Sequence, residues 1–253
     1  MSSLAIFGLF AVTAMLVCYA LERHSRWFIF AFAGACALGA AYGFLQGAWP
    51  FGLVEAVWSV VAVRKWWLAG RASIKNKQAV TMHVKSHWES VYKNKEPDGV
   101  SWFQPHLNKS LDLILKSGIG TEAQIIDVGG GASTLVDDLL KKHFKNITVV
   151  DVSAEALNKS KQRLRNLEGE VTWIEADVTR VELPGTYYDL WHDRALFHFF
   201  TDQKNRQAYI KSLLHSLTPG GHLVISTFSL KGPAQCSGLD CISSDLFGHD
   251  LGI

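Results

Sequence analysis

A turn of three glycines stands where the chain leaves an apolar run typical of a buried strand. Gly129, Gly130 and Gly131 begin two residues after Asp127. Glycines lack a Cβ, so the backbone can approach a ligand closely, and the N–H groups of a following helix attract an anion or a carboxylate. These residues predict a loop that cradles a charged ligand.

Two further aspartates follow the next two apolar runs. Asp151 and its neighbour Val152 end the second run, and Asp177 with Val178 follows the third. A carboxylate at Asp151 can accept both hydroxyl groups of a ribose, and Asp177 is placed to receive the exocyclic amine of a base. Together with the glycine turn they describe a nucleoside-shaped site. A nicotinamide dehydrogenase is a weaker alternative, because its glycine fingerprint needs a glycine where this chain has Thr134.

The elements that must position these residues alternate between strand and helix. Strands are predicted at 124–128, 147–150, 171–174, 187–191 and 222–227, and helices at 134–144, 154–167 and 202–217. This alternation predicts an α/β fold with a doubly wound, mostly parallel sheet. Ligands bind such sheets beyond the carboxyl ends of the strands, which is where the glycine turn and both aspartates lie.

The first quarter of the chain has a different character. Residues 1–63 carry four of the 48 formal charges. Apolar runs predict helices at about 4–21, 27–45 and 49–67, close to the roughly 20 residues that cross a bilayer. The third run contains Glu55, so two spans and a surface segment are the alternative. We therefore predict a membrane anchor at 1–68, a polar linker at 69–82 and a globular domain at 83–253.

The distribution of cations predicts the orientation of this multi-pass anchor. Arg23 and Arg26 lie in the first predicted turn, the turn at 46–50 has no cation, and five cations follow between Arg64 and Lys77. With three spans, the positive-inside rule puts the first turn and the globular domain in the cytoplasm.

Charge and metal-ligand patterns argue against two kinds of partner. The net charge is +2, which does not favour nucleic acid. Cys236 and Cys241 do not form a C-x-x-C pair, and His83 and His87 have no third ligand nearby, so no metal is expected.

From about residue 83 to 240 the chain resembles the class I S-adenosylmethionine-dependent methyltransferases. The matching stretches are IIDVGGGAS at 125–133, ITVVDVS at 147–153, EADV at 175–178, YYDLWHDRALFHF at 187–199 and LTPGGHLVIS at 217–226. The resemblance implies a Rossmann-like domain with S-adenosylmethionine as cofactor. Asp127 and the glycine turn would hold its methionine part, Asp151 with Val152 its ribose, and Asp177 with Val178 its adenine. The family usually adds two strands after the fifth, whereas 26 residues follow Thr227, so the sheet is expected to lack the last strands.

The resemblance also places the end of the fourth strand beside the transferred methyl group. His192 or Asp193 is predicted to orient the substrate, with His198 behind them. The structural alternative is that Asp193 pairs with Arg194 or caps the next segment, and that His198 packs among the phenylalanines around it.

The leading hypothesis is a methyltransferase at the inner face of a membrane that acts on a small-molecule, lipid-soluble or protein acceptor. The alternative is a non-catalytic membrane scaffold that carries a shortened cofactor-binding domain.

Overall fold

The computed structural model describes residues 3–243 and residue 248, except for the side chains of residues 73–81. The chain divides into two compact units, Met1–Thr81 and Met82–Ile253. The first unit is helical, and the second contains the sheet.

Three helices begin the chain: α1 (Ser3–Ala20), α2 (Arg26–Leu45) and α3 (Trp49–Asn94). The side chain of Ser25 caps α2 by accepting a hydrogen bond from the backbone N–H of Trp27. Helices α2 and α3 approach closely at two glycines, since a Cβ on Gly43 would lie 2.7 Å from the backbone nitrogen of Gly52. Among the described residues, α1 and α2 are long and apolar enough to cross a membrane.

Helix α3 differs from the prediction for this region. We expected an apolar helix to end near residue 67 and a linker to follow at 69–82, but one helix runs through to Asn94. The interval lacks proline, and its alanines, lysines and glutamine favour helix. A change from apolar to polar composition therefore marks the end of the apolar face and not the end of the helix.

The second unit begins within α3 and continues with α4 (Asn108–Lys116). The elements that follow are β1 (Gln124–Val128), α5 (Leu135–Lys141), β2 (Asn146–Asp151), α6 (Ala154–Leu164), β3 (Val171–Glu175), β4 (Tyr188–Arg194), α7 (Gln203–Ser216) and β5 (Leu217–Ser226). Short 3-10 helices lie at Pro97–Gly99, Arg165–Glu170 and Phe197–Phe199.

The five strands form one parallel sheet in the order β3-β2-β1-β4-β5. The register pairs Asp127 with His192, Val128 with Asp193, and Asp151 with Glu175. The carboxyl ends of the three central strands therefore meet at one edge of the sheet. This arrangement confirms the predicted doubly wound α/β fold.

Each face of the sheet is buried, because successive strand residues point to opposite sides. Ile125, Val149 and Leu190 pack into one apolar cluster with residues of α4, α5 and α6. Ile126 and Trp191 pack into the other, which includes residues of α7. Apolar runs on both faces are what a parallel sheet covered by helices requires.

In the described part of the chain the five-stranded sheet ends at β5. The segment after β5 contains a small antiparallel pair, β6 (Gln235–Cys236) and β7 (Leu239–Asp240). The backbone N–H of Ile242 donates to the carbonyl of His198 at 2.8 Å. This segment therefore packs against the domain.

Candidate functional site

The glycine turn lies between β1 and α5, and each of its glycines is sterically required. Gly129 has φ +69°, and a Cβ there would lie 2.9 Å from the Cβ of Leu196. A Cβ on Gly130 would lie 2.5 Å from Oδ2 of Asp127, and one on Gly131 would lie 2.6 Å from Oδ2 of Asp151. The turn therefore converges with Asp127 and Asp151, two of the three carboxylates that the sequence predicts for the site.

Asp127 is almost fully buried and has one oxygen in use. Its Oδ1 lies 2.6 Å from Nδ1 of His192, whose Nε2 lies 2.9 Å from the hydroxyl oxygen of Ser110. Among the described residues, Oδ2 of Asp127 has no hydrogen-bond partner. A buried carboxylate oxygen without a partner is costly, so this atom is available to a donor from a ligand.

His192 was predicted to orient a substrate, but the structure gives it another position. The ring is 1% exposed, and both of its nitrogens contact protein atoms. It connects the carboxylate of β1 with α4. In this geometry it fixes the orientation of Asp127.

Asp151 ends β2 beside the turn. Its Oδ1 accepts a hydrogen bond from the backbone N–H of Ser153 at 2.8 Å. Burial, helped by the nearby carboxylates of Asp127 and Glu89, raises its pKa to about 7 against the lowering effect of that hydrogen bond. A partly protonated carboxyl in this position can still accept hydrogen bonds from hydroxyl groups.

The third predicted carboxylate is already engaged. Oδ1 of Asp177 accepts from the backbone N–H of Thr179 at 2.9 Å and from its hydroxyl at 2.6 Å, and Oδ2 lies 3.5 Å from Nε of Arg180. Val178 is 4% exposed and packs in the core. These contacts make a tight turn after β3, and an adenine ring would have to compete with them for Asp177.

Asp193 does not face an open space in the structure. It is fully buried, and its Oδ1 accepts from the backbone N–H groups of Leu196 and Phe197. Its Oδ2 accepts from the hydroxyl of Tyr209 at 2.7 Å. Burial raises its pKa to about 6 against the lowering effect of these bonds. The structure thus agrees with the alternative in which Asp193 caps the next segment.

His198 is likewise enclosed. The ring is 1% exposed and stacks on Phe228 at a centroid distance of 4.4 Å. Neither ring nitrogen has a hydrogen-bond partner within the described residues, and burial lowers its pKa to about 4. As placed, this histidine is a neutral packing residue.

A cavity opens at the turn. It is lined by the turn and its surroundings (Asp127, Gly129, Gly130 and residues 132–134) and by the aromatic residues Tyr92, Trp102 and Phe103. Arg194, the last residue of β4, also lines it, whereas Asp151 and Asp177 do not. Trp88 packs edge-on against Trp102 at 5.9 Å, so these aromatic residues both cover the turn and form a small core of their own.

Two residues of α6 hold the turn in place and were missed by the sequence analysis. The hydroxyl of Ser160 donates to the carbonyl of Gly131 at 2.7 Å, and Nη2 of Arg163 donates to the carbonyl of Ser133 at 2.6 Å. Arg163 also contacts both oxygens of Asp137. An arginine on a polar helix face looks like an ordinary surface residue in sequence, so no sequence signal identified this role.

Comparison with known families decides what kind of domain carries this site. A family model described as a methyltransferase domain matches residues 125–221, from β1 into β5. Residues 125–221 therefore form a domain of the class I S-adenosylmethionine-dependent methyltransferase type. The family, the fold class and the cofactor expected from the sequence are thereby confirmed.

Several curated methyltransferase relatives are similar over the same region. Nodulation protein S of Rhizobium tropici is 28% identical over 46% of this chain and 47% of its own length. The ubiquinone/menaquinone biosynthesis C-methyltransferase UbiE of Pseudomonas savastanoi is 26% identical, with 45% and 44% covered. Human EEF1A lysine methyltransferase 2 is 24% identical, with 57% and 67% covered. The chain spans about half the length of the first two relatives.

A solved structure from work on the conversion of a disulfide bond into a thioacetal group in echinomycin biosynthesis has the same fold. Its TM-score is 0.50, with 20% sequence identity, and the match covers 60% of this chain and 63% of that one.

The site of this domain fits the methionine end of the cofactor. The unpartnered Oδ2 of Asp127 can accept from an ammonium group, and the glycines leave the space that a Cβ would fill. Asp151 adjoins the same turn and can accept from ribose hydroxyls. The expected adenine position offers fewer free acceptors, because Oδ1 of Asp177 already accepts two hydrogen bonds within its own turn.

Proposed function

We propose that this protein transfers a methyl group from S-adenosylmethionine to an acceptor at the cytoplasmic face of a membrane, to which residues 1–68 anchor it. The acceptor is a small molecule, a lipid-soluble compound or a protein side chain.

The observation that carries the proposal is the buried oxygen of Asp127 beside the glycine turn. Oδ2 lacks a partner among the described residues, and a side chain on Gly130 would collide with it. Burying a carboxylate oxygen without a hydrogen-bond partner is unfavourable, so the arrangement is explained by a ligand that brings a cation to this oxygen.

The cofactor supplies a methyl group on a sulfonium, which is already activated toward displacement. The protein has to align the acceptor and exclude water. Asp127 binds the ammonium group of the cofactor, and His192 holds Asp127 in the orientation that this requires. Tyr92 and Trp102 line the cavity at the glycine turn. Since Asp193 and His198 are enclosed, we assign them to holding the end of β4 and not to proton transfer.

The acceptor classes are supported by two relatives. One is a C-methyltransferase of ubiquinone/menaquinone biosynthesis, and another is a lysine methyltransferase. A lipid-soluble acceptor would be reached most directly from a membrane surface.

Membrane attachment is supported by α1 and α2. Their lengths of 18 and 20 residues are close to the ~20 residues needed to cross the hydrocarbon layer. Large apolar side chains on α1 are exposed, including Leu9 at 60% and Leu16 at 66%, which is expected of residues that face lipid. The cations at 23–26 and 64–77 support the cytoplasmic side for the domain.

The alternative is a scaffold that binds the cofactor without transferring its methyl group. Two observations favour it: Asp177 is occupied by its own turn, and the cavity does not include Asp151. The scaffold and the enzyme would both bind the cofactor, but only the enzyme would form a methylated product.

The test is a methyl-transfer assay with the full chain in membranes. Labelled S-adenosylmethionine is added to membranes that contain the protein or its Asp127→Asn variant, and lipids, proteins and small molecules are then separated. We expect one fraction to gain label with the wild type and to lose most of it with the variant. Cofactor binding without product in any fraction would support the scaffold instead.

A further inference from the structure

We propose that Arg194 binds the carboxylate of the cofactor's methionine part, so that Asp127 and Arg194 together recognise an α-amino acid zwitterion. This inference rests on the proposed function, and it adds a residue that the sequence motifs do not assign to cofactor binding.

Arg194 stands at the correct edge of the sheet. It is the last residue of β4, pairs with Ser226 of β5 and lines the cavity at the glycine turn together with Asp127. The register puts Asp193 beside Val128, so Arg194 follows the strand out toward the turn that begins at Gly129. Arg194 therefore lines the same cavity as Asp127, the carboxylate with the unpartnered oxygen.

The guanidinium of Arg194 is held in place by the segment that contains Trp102. Nη2 donates to the backbone carbonyl of Trp102 at 2.8 Å. This bond uses one of the five N–H groups of a guanidinium, whose planar fork suits a carboxylate. The side chain is thus positioned and retains donors for a ligand.

The charges of Arg194 and Asp127 suit such a ligand. Burial lowers the pKa of Arg194, and the negative charge of Asp127 acts in the opposite direction. The two residues lie close enough to influence each other, yet among the described residues no ion pair joins them. A cavity lined by both a cation and an anion fits a molecule that carries both an ammonium group and a carboxylate.

Decarboxylated S-adenosylmethionine makes the test specific. It keeps the ammonium, the sulfonium and the adenosine but lacks the carboxylate. We would measure the affinities of both compounds for the full chain in nanodiscs by calorimetry. The variants are Arg194→Gln, Arg194→Lys and the control Lys211→Gln, which removes an exposed cation on α7.

The wild type and Lys211→Gln should prefer S-adenosylmethionine over the decarboxylated compound by roughly 10- to 100-fold, the range expected for a charge-assisted hydrogen bond. Arg194→Gln should bind both compounds with similar affinity, close to that of the wild type for the decarboxylated one. Arg194→Lys should keep part of the preference, because it keeps the charge but not the fork.

Two results would overturn the inference alone. If Arg194→Gln weakened the binding of both compounds equally, the arginine would act by holding Trp102. If the substitution changed the affinity for neither compound, the residue would not contact the ligand. If the wild type bound neither compound while remaining folded, the proposed function would fail as well, and these outcomes are therefore distinguishable.

Discussion

Gly130 has no room for a methyl group. A Cβ there would lie 2.5 Å from Oδ2 of Asp127 and 2.8 Å from Cγ1 of Val149, both of which are packed. We expect Gly130→Ala to displace the carboxylate, to lower the stability by about 1–3 kcal/mol and to weaken cofactor affinity by at least roughly tenfold. Calorimetric titration and thermal unfolding measure the two effects.

Gly120→Ala is the matched control, since a Cβ at that position would meet nothing within 4 Å. Its affinity and melting temperature should stay close to those of the wild type. Wild-type affinity in Gly130→Ala would contradict the placement of the cofactor against this turn.

The burial of Asp151 leads to a second prediction at the scale of the residue, which concerns how the stability of the folded protein depends on pH. Its pKa in the folded protein is raised to about 7 from an ordinary value of 3.8, mainly by burial, with Asp127 and Glu89 adding to the effect. A raised pKa favours the folded state at low pH, and this contribution is lost as the pH rises through about 7. Asp151→Asn removes the charge and can still accept from Ser153.

The melting temperature of Asp151→Asn, in the absence of cofactor, should therefore exceed that of the wild type by more at about pH 8 than at about pH 5. Differential scanning fluorimetry of both proteins in the same detergent measures this difference. An equal difference at the two pH values would show that Asp151 is not buried as described.

The residues of the glycine turn could be predicted from sequence, whereas the roles of the β4 residues could not. Consecutive glycines at a strand end indicate a turn that lets the backbone approach a ligand, whereas an aspartate such as Asp193 can face either a ligand or the core. Its partner Tyr209 lies 16 residues away on α7, a contact that only the tertiary structure reveals. Arg194 was considered only as a partner of Asp193, because the sequence does not show the cavity that it lines.

At the scale of the element, α6 positions the glycine turn through Arg163. This side chain donates to the carbonyls of Ala132 and Ser133 and to both oxygens of Asp137. Arg163→Ala leaves these acceptors without their donor, so we expect a loss of about 1–3 kcal/mol in unfolding free energy and weaker cofactor binding.

Arg165→Ala provides the control, because Arg165 lies two residues further on and is exposed. Thermal unfolding and calorimetry of both variants separate the effect of the turn contacts from a general loss of charge. If the two variants behaved alike, the turn would not depend on α6.

For the secondary-structure elements, sequence patterns predict the strands but not every element boundary. The five strands are short apolar runs with ligand-binding residues at their ends, and each predicted run falls within or next to an observed strand. The end of α3 could not be predicted, since a helix without proline continues through a change of polarity. Likewise, β5 begins at Leu217, earlier than the predicted 222, because Pro219 and two glycines resemble a turn in sequence.

At the scale of the whole molecule, the topology of the anchor distinguishes two spans from three. With three spans, the turn at 46–48 and the globular domain lie on opposite sides of the membrane, and with two they share a side. We expect a cysteine introduced at Gln46 to react with an impermeant maleimide from outside, and one at Lys116 to react only in inverted vesicles.

These cysteines are placed in a variant whose four native cysteines are replaced by serine or alanine. Lys116 is a suitable position because its side chain is 70% exposed. Labelling of both positions from the same side would contradict the three-span anchor, and labelling of both in intact cells would contradict the cytoplasmic domain.

The account as a whole depends on a cofactor whose ammonium group meets Asp127. The most direct measurement is calorimetric titration of S-adenosylmethionine into the full chain in nanodiscs, for the wild type and for Asp127→Asn, which can still accept from His192. We predict saturable binding of one molecule per chain, weakened by roughly 10- to 100-fold in the variant. A folded wild type that binds no cofactor, or a variant that binds it equally well, would contradict the account.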